Sequence, residues 1–223
     1  MQPISHRLNI VTGHYGSGKT TVSLNLAVCA AKAGRRVCLV DLDIVNPYFR
    51  AADSAGRLAE QGIRVIAPIY ARTNLDIPAL PPDIYAALED TGCTVVIDVG
   101  GDDAGAAALG RFVPMITAEP YTHYYIVNAR RPLTRTPEEA VAVLREIEAA
   151  GHLPATAVVN NTHLGPETDA DVIRQSAPFA QAVAQQAGLP LAFTCVPREL
   201  ADAVGRPDAF PIDIPPSFPW SDA

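Results

Sequence analysis

The sequence has only four cysteines, and no two of them form a C-x-x-C pair. Cys29, Cys38, Cys93 and Cys195 are far apart, and three lie in or beside apolar runs. Such thiols read as small buried hydrophobes in a reducing compartment rather than as disulfides or metal ligands. On the same ground no iron–sulfur cluster is expected. Positive charge is also scarce: 17 Lys and Arg stand against 24 Asp and Glu, a formal net charge of −7. That balance argues against a broad nucleic-acid footprint and against a polybasic membrane patch, while leaving a local basic patch open. No apolar run is long enough to span a bilayer, and the first residues lack the form of a signal peptide. No amphipathic helix closes the chain, so no membrane anchor is expected and the predicted location is cytoplasmic. Internal repeats and dividing linkers are absent too.

What is present is a chain of 223 residues with 48% apolar content, enough for one sizeable core and too apolar for disorder. Short apolar runs alternate with helical patterns. Strands are predicted at Leu8–Val11, Val37–Val40, Ile63–Ala67, Thr94–Val99, His123–Asn128, Ala155–Asn160 and Leu191–Cys195. Val37–Val40 is apolar without alternation, the mark of a parallel strand covered on both faces. Helices are predicted at Thr20–Ala33, Ala51–Gln61, Pro82–Asp90, from Asp103, at Pro137–Ala150, opened by a Thr136–Glu139 capping box and stopped by Gly151, and at Asp169–Ala187, the last with a potential break at Pro178. The fold class is therefore α/β, with a mainly parallel sheet and helices on both faces. Residues 1–206 form the expected domain, and residues 207–223 a proline-rich tail. The tail is either a strap anchored by Phe210, Phe218 and Trp220 or a polyproline ligand for a partner.

The chain is organised around Gly13-His14-Tyr15-Gly16-Ser17-Gly18-Lys19-Thr20-Thr21. This is the G-x-x-x-x-G-K-[ST] pattern of a phosphate-binding loop, set between a strand and a helix. Glycines let backbone N–H groups converge on phosphate oxygens, and the helix turns its positive end toward the same anion. Lys19 can reach the β- and γ-phosphates, and the Thr20 hydroxyl can ligate Mg²⁺.

Ligands in open α/β sheets sit at the carboxyl ends of the strands. Asp98 ends the run TVVID as a Walker B aspartate would, delivering a carboxylate toward the metal. Asp98 to Gly101 also has the D-x-x-G form in which the Gly101 N–H senses a γ-phosphate. Asp41 and Asp43 follow the second strand, where an aspartate can orient an attacking water or reach the Mg²⁺ shell; Asp43 is the preferred candidate. Asp102 and Asp103 read as a solvated turn and helix cap, with a role in metal binding as the alternative. Tyr48 and Phe49 form either a docking surface or core plugs, and His123, Tyr124 and Tyr125 read as core.

GHYGSGKTT, VDLD, VVIDVGG and VVNN, in that order, resemble the MinD/ParA (CobQ/CobB/MinD/ParA-type) P-loop nucleotide-binding family across most of the chain. The resemblance implies an ATP-driven switch that closes as a homodimer around nucleotide, hydrolyses slowly and reopens. It implies Asp43 in water activation, Asp98 as the Walker B position, Asn160 against the adenine and Pro197 lining the other side of the base. ATP rather than GTP is implied by the resemblance and by the absence of an N-K-x-D motif.

One departure stands out. The family's loop usually carries a second lysine after the first glycine, where this chain has His14. Arg50, Arg130 and Arg131 are the candidate substitutes for that cation. The resulting expectation is a Mg²⁺-dependent ATPase, with catalytic Lys19 and Asp43 and metal-binding Thr20 and Asp98. It would act on an unidentified protein partner. Two rival readings are an ATP-dependent ligase or kinase acting on a small-molecule substrate, its pocket shaped by Pro68–Pro82, and a non-hydrolysing ATP/ADP sensor.

Overall fold

The structure, a computed structural model, describes residues 3–43, 55–67, 82–101 and 103–214. Among these residues eight parallel strands form one sheet in the order β3-β2-β4-β1-β5-β6-β7-β8. They are β1 (Leu8–Gly13), β2 (Arg36–Asp41), β3 (Ile63–Ile66), β4 (Cys93–Asp98), β5 (Tyr121–Val127), β6 (Ala157–Asn160), β7 (Leu191–Pro197) and β8 (Ala209–Ile212). Seven were expected. The eighth comes from the tail: its AFPI run contains Pro211, which reads as a break but is tolerated on an edge strand.

The helices are α1 (Lys19–Lys32), α2 (Ala55–Glu60), α3 (Asp83–Glu89), α4 (Asp103–Gly110), α5 (Val113–Ile116), α6 (Pro137–Gly151), α7 (Ala170–Ala187) and α8 (Ala201–Val204). α7 runs unbroken through Pro178. α6 opens on a capping box: Glu139 N–H donates to Thr136 Oγ1 at 3.2 Å and Thr136 N–H donates to Glu139 Oε2 at 3.1 Å. Gly151 does not stop that helix as its sequence position suggests. It lies inside the last turn against α4, where an added Cβ would come within 3.3 Å of the Ala106 carbonyl oxygen, and His152 adopts the left-handed cap instead.

The continuous apolar strands are buried on both faces, as their composition predicts. Val37 and Leu39 of β2 join α1 in one core cluster with Val96, Ile126 and Phe193. Cys38 and Val40 point the other way, into a cluster with Ile84 and Leu88 of α3. Under α6 and α7, Tyr125 and Val158 pack on Leu144 and Val183. His123, Tyr124 and Tyr125 are buried, as are the thiols of Cys38, Cys93 and Cys195. Burial pushes the Cys38 thiol up to about 12. Among the described residues no helix is long and apolar enough to cross a membrane.

After β1 the chain crosses to β2 and β3 on one side, and later to β5, β6 and β7 on the other. β1 therefore stands at the reversal of strand order, where an open α/β sheet offers its binding crevice. Asp41 of β2 and Val11 of β1 both pair in register with Asp98 of β4, so these strand ends are level.

Candidate functional site

The loop from Gly13 to Gly18 leaves the end of β1 and enters α1. Gly18 stands at φ 84°, and a Cβ there would fall 2.3 Å from Asn161 Nδ2. Only glycine meets both demands. Among the described residues no side chain caps the N-terminus of α1, although a helix start needs acceptors for its first N–H groups. Ser17 Oγ, on a residue only 2% exposed, has no partner among the described residues. An uncapped helix start beside an orphaned buried hydroxyl fits an anion.

Lys19 is 8% exposed, and its amine donates to the His14 carbonyl at 3.4 Å. Gly101, following β4, lies directly over this amine. A Cβ on Gly101 would meet Lys19 Nζ at 2.8 Å and the Tyr15 backbone nitrogen at 2.9 Å. The D-x-x-G segment and the phosphate loop are thus in contact.

The first turn of α1 supplies the second group of ligands. Thr20 Oγ1 donates to Asp98 Oδ2 at 2.6 Å, and Ser23 Oγ donates to Asp98 Oδ1 at 3.0 Å. Burial raises the Asp98 carboxyl to about 6, against the opposing effects of the Thr20 bond and the Lys19 charge. A hydroxyl and a carboxylate side by side are hard oxygen donors, suited to Mg²⁺. Ser23, three residues beyond Thr20 on the same helix face, escaped the sequence reading; its i, i+3 spacing was the available signal.

The end of β2 folds onto the same point. Leu42 N–H donates to the Asp98 carbonyl at 2.8 Å. Asp41 is buried, and its Oδ1 accepts the Asp43 N–H at 2.9 Å, so it shapes the turn that presents Asp43. Asp43 is close enough to raise the Asp98 pKa.

On the other flank, the two asparagines after β6 have different surroundings. Asn160, expected against an adenine, is fully buried: its Nδ2 donates to Ser176 Oγ at 2.8 Å, and its Oδ1 accepts from Thr162 Oγ1 at 2.8 Å. In this arrangement it is not presented to a ligand. Asn161 reaches the loop instead, with Nδ2 donating to the Ser17 carbonyl at 2.7 Å. Pro197 ends β7 and is buried.

Burial, helped by the Lys19 charge, lowers the His14 pKa and favours the uncharged ring in the ligand-free chain. Arg131 donates from Nε to the Gly16 carbonyl at 2.5 Å, within its own chain, and Arg130 is exposed. Tyr15 is 67% exposed at the loop's rim, and Thr21 turns into α1, its carbonyl accepting from Asn25. Arg50, Tyr48, Phe49, Asp102, the 68–81 stretch and the end of the tail from 215 lie outside the described residues.

The family model of the CobQ/CobB/MinD/ParA nucleotide binding domain matches residues 9–188. Human cytosolic Fe-S cluster assembly factor NUBP2 is 32% identical over 68 residues, 30% of this chain and 25% of that protein. The light-independent protochlorophyllide reductase iron-sulfur ATP-binding protein of Heliobacterium modesticaldum is 33% identical over 103 residues, 46% of this chain and 33% of that one. The chromosome-partitioning ATPase Soj of Thermus thermophilus is 42% identical over 57 residues, 26% of this chain and 22% of that one. These matches span at most a third of the relatives' length. Among solved structures, FtsY of Thermotoga maritima superposes with a TM-score of 0.54 at 21% identity, covering 85% of this chain and 61% of that one, and shares the fold.

These relatives correct one expectation. Two of the three are named for iron–sulfur work, so a missing C-x-x-C pair does not exclude iron–sulfur involvement. The physical reason is that C-x-x-C is one ligand spacing among several. Within the chain itself, no group of three or more His, Cys, Asp or Glu is placed to hold a metal among the described residues, and the four thiols, all described, form no such group. From the loop, the carboxylates that face it and a domain model matching most of its length, the chain belongs to the CobQ/CobB/MinD/ParA nucleotide-binding family.

Proposed function

We propose that this protein is a Mg²⁺-dependent ATPase that works as a nucleotide-driven switch on a protein partner. The observation that carries this reading is the Thr20–Asp98 pair beside the uncapped start of α1, with Lys19 and Gly101 in contact above it. When bound, Mg²⁺ would neutralise phosphate charge and orient the terminal phosphoryl group. The residues supply the rest. Loop N–H groups and Lys19 hold phosphate oxygens and stabilise the charge that develops on the transferred group. Thr20 and Asp98 hold the cation. Asp43, presented by the Asp41 turn, orients the attacking water. The close approach of Gly101 to Lys19 lets the segment after β4 respond to the terminal phosphate and pass that response to α4.

The relatives named for iron–sulfur work support a partner drawn from iron–sulfur proteins, with the cluster as cargo or as the partner's own group. ATP as the nucleotide is supported by relatives named as an ATP-binding protein and an ATPase.

Phosphate release from Mg·ATP, measured across protein concentrations with Lys19→Ala as the blank, tests the reading. Turnover above the blank, lost in Asp43→Ala while nucleotide binding persists, is expected. Tight binding with no turnover in any condition would replace the switch by a sensor. Turnover that appears only with a small carboxylate substrate would replace it by a ligase.

A further inference from the structure

We propose that Arg131 and Asn161 are positioning residues that hold the phosphate loop open for its ligand by pinning two successive carbonyls outward. This rests on the nucleotide reading of the site. Arg131 Nε donates to the Gly16 carbonyl at 2.5 Å, and Asn161 Nδ2 donates to the Ser17 carbonyl at 2.7 Å. Both donors follow strands on one side of β1, namely β5 and β6. Asp98 and Gly101, which face Thr20 and Lys19, come from β4 on the other side. The two carbonyls are therefore drawn away from the flank where the phosphate chemistry is assembled.

Backbone mechanics explain why the loop needs this. A loop carbonyl turned toward a phosphate repels it, whereas an N–H turned the same way binds it. In a trans peptide the two groups point in opposite directions, so fixing the Ser17 carbonyl on Asn161 also fixes the direction of the Gly18 N–H. Each pinned peptide adjoins a glycine, Gly16 at φ 73° and Gly18 at φ 84°, so rotation of either plane meets little steric resistance. On the Ser17–Gly18 plane Asn161 removes the freedom the glycines leave, and on the Gly16–Ser17 plane Arg131 adds to the hold of the Ser17 N–H, which donates to the His14 carbonyl at 3.1 Å. The fit is close: a Cβ on Gly16 would stand 3.1 Å from the Arg131 guanidinium carbon.

His163 stands behind the pair. Its Nε2 would lie 3.2 Å from a Cβ on Gly18, and Asn128 of the β5 end bridges to the His163 backbone, accepting its N–H at 3.4 Å and donating to its carbonyl at 3.4 Å. This ties the loops that carry Arg131 and Asn161 to each other.

The test is calorimetric binding of Mg·ADP and, separately, of tripolyphosphate, which reads the loop without the base. Arg131→Ala and Asn161→Ala are each expected to weaken both ligands by about tenfold, by the same factor for the two. Asn161→Asp keeps the shape but faces the Ser17 carbonyl with an acceptor, and is expected to be worse than Asn161→Ala. Arg131→Lys, which restores a donor, is expected to recover most of the Arg131→Ala loss, with ligand-free unfolding close to wild type in both Arg131 variants. Unchanged affinities, or a loss confined to ADP while tripolyphosphate is spared, would overturn the clamp. Wild-type protein that binds neither ligand would overturn the nucleotide reading and the clamp with it. Should Asn161→Ala fail to fold, the Arg131 pair decides alone.

Discussion

The Thr20 hydroxyl donates to the Asp98 carboxylate over 2.6 Å, and Ser23 occupies the other oxygen at 3.0 Å. Two hydroxyls therefore serve one buried acid that burial still drives toward its neutral form. Such a carboxylate is unfavourable without a cation and useful with one. Asp98→Asn is expected to keep or raise the ligand-free unfolding midpoint. It should lower the Mg²⁺ enhancement of nucleotide binding by about 10- to 100-fold, read from ADP titrations with and without Mg²⁺.

Acid should destabilise the ligand-free protein through His123. Its ring is buried: Nε2 lies 2.7 Å from Thr12 Oγ1 and Nδ1 lies 3.1 Å from the Pro154 carbonyl. Nδ1 therefore carries the proton and Nε2 accepts from Thr12. Burial holds the ring down to about 4, below the value of an exposed histidine. The unfolded chain then binds the proton first, so stability is full above about pH 6.5 and falls as pH drops toward 4, by up to about 3 kcal/mol. Asp98, raised to about 6, works the other way in the same window, because the folded state binds its proton first. His163, also held down to about 4 by burial and by the Arg131 charge, adds to the His123 loss, so denaturant melts from pH 7 to 4 should show a net loss, steeper in Asp98→Asn.

Gly101→Ala tests the contact between the loop and the segment after β4. The added methyl would meet Lys19 Nζ at 2.8 Å, which can move, and the Tyr15 backbone nitrogen at 2.9 Å, which cannot move without the loop. Phosphate release is expected to fall at least about tenfold, with the unfolding midpoint changed by only a few degrees.

The C-terminal strand should be integral to stability. Asn25 of α1 accepts the Asp213 N–H at 2.7 Å and donates to the Asp213 carbonyl at 2.9 Å, while Phe210 packs edge-on against Phe193 with ring centroids 5.1 Å apart. Phe210→Ala is expected to cost about 3–5 kcal/mol and Asn25→Ala about 1–3 kcal/mol in urea unfolding. Losses below 1 kcal/mol would show that β8 is dispensable.

Seven strands, the capping box at Thr136 and the loop at Gly13 were legible because each depends on neighbours in sequence: an unbroken apolar run, an i, i+3 pair, a glycine spacing. Three features were not. Pro211 hid β8, since nothing local says that the strand lies at an edge. Gly151 reads as a helix stop, and only the approach of α4 shows why a glycine belongs inside the turn. Asn160 and Asn161 are the same residue type side by side, and strand alternation sends one amide into the core on Ser176 and the other to Ser17. The iron–sulfur exclusion failed differently, by treating one cysteine spacing as the only one.

The sequence by itself determined the sheet, the phosphate loop and the supply of carboxylates at strand ends, because hydrophobic period and glycine spacing act over a few residues. The tertiary structure decided which groups meet. Asp98 comes 78 residues after Thr20, and Asn161 144 after Ser17. Their encounter follows from strand order and register, which set β4 on one side of β1 and β5 and β6 on the other. No local preference of the chain encodes that order, since it results from packing two helical layers against one twisted sheet.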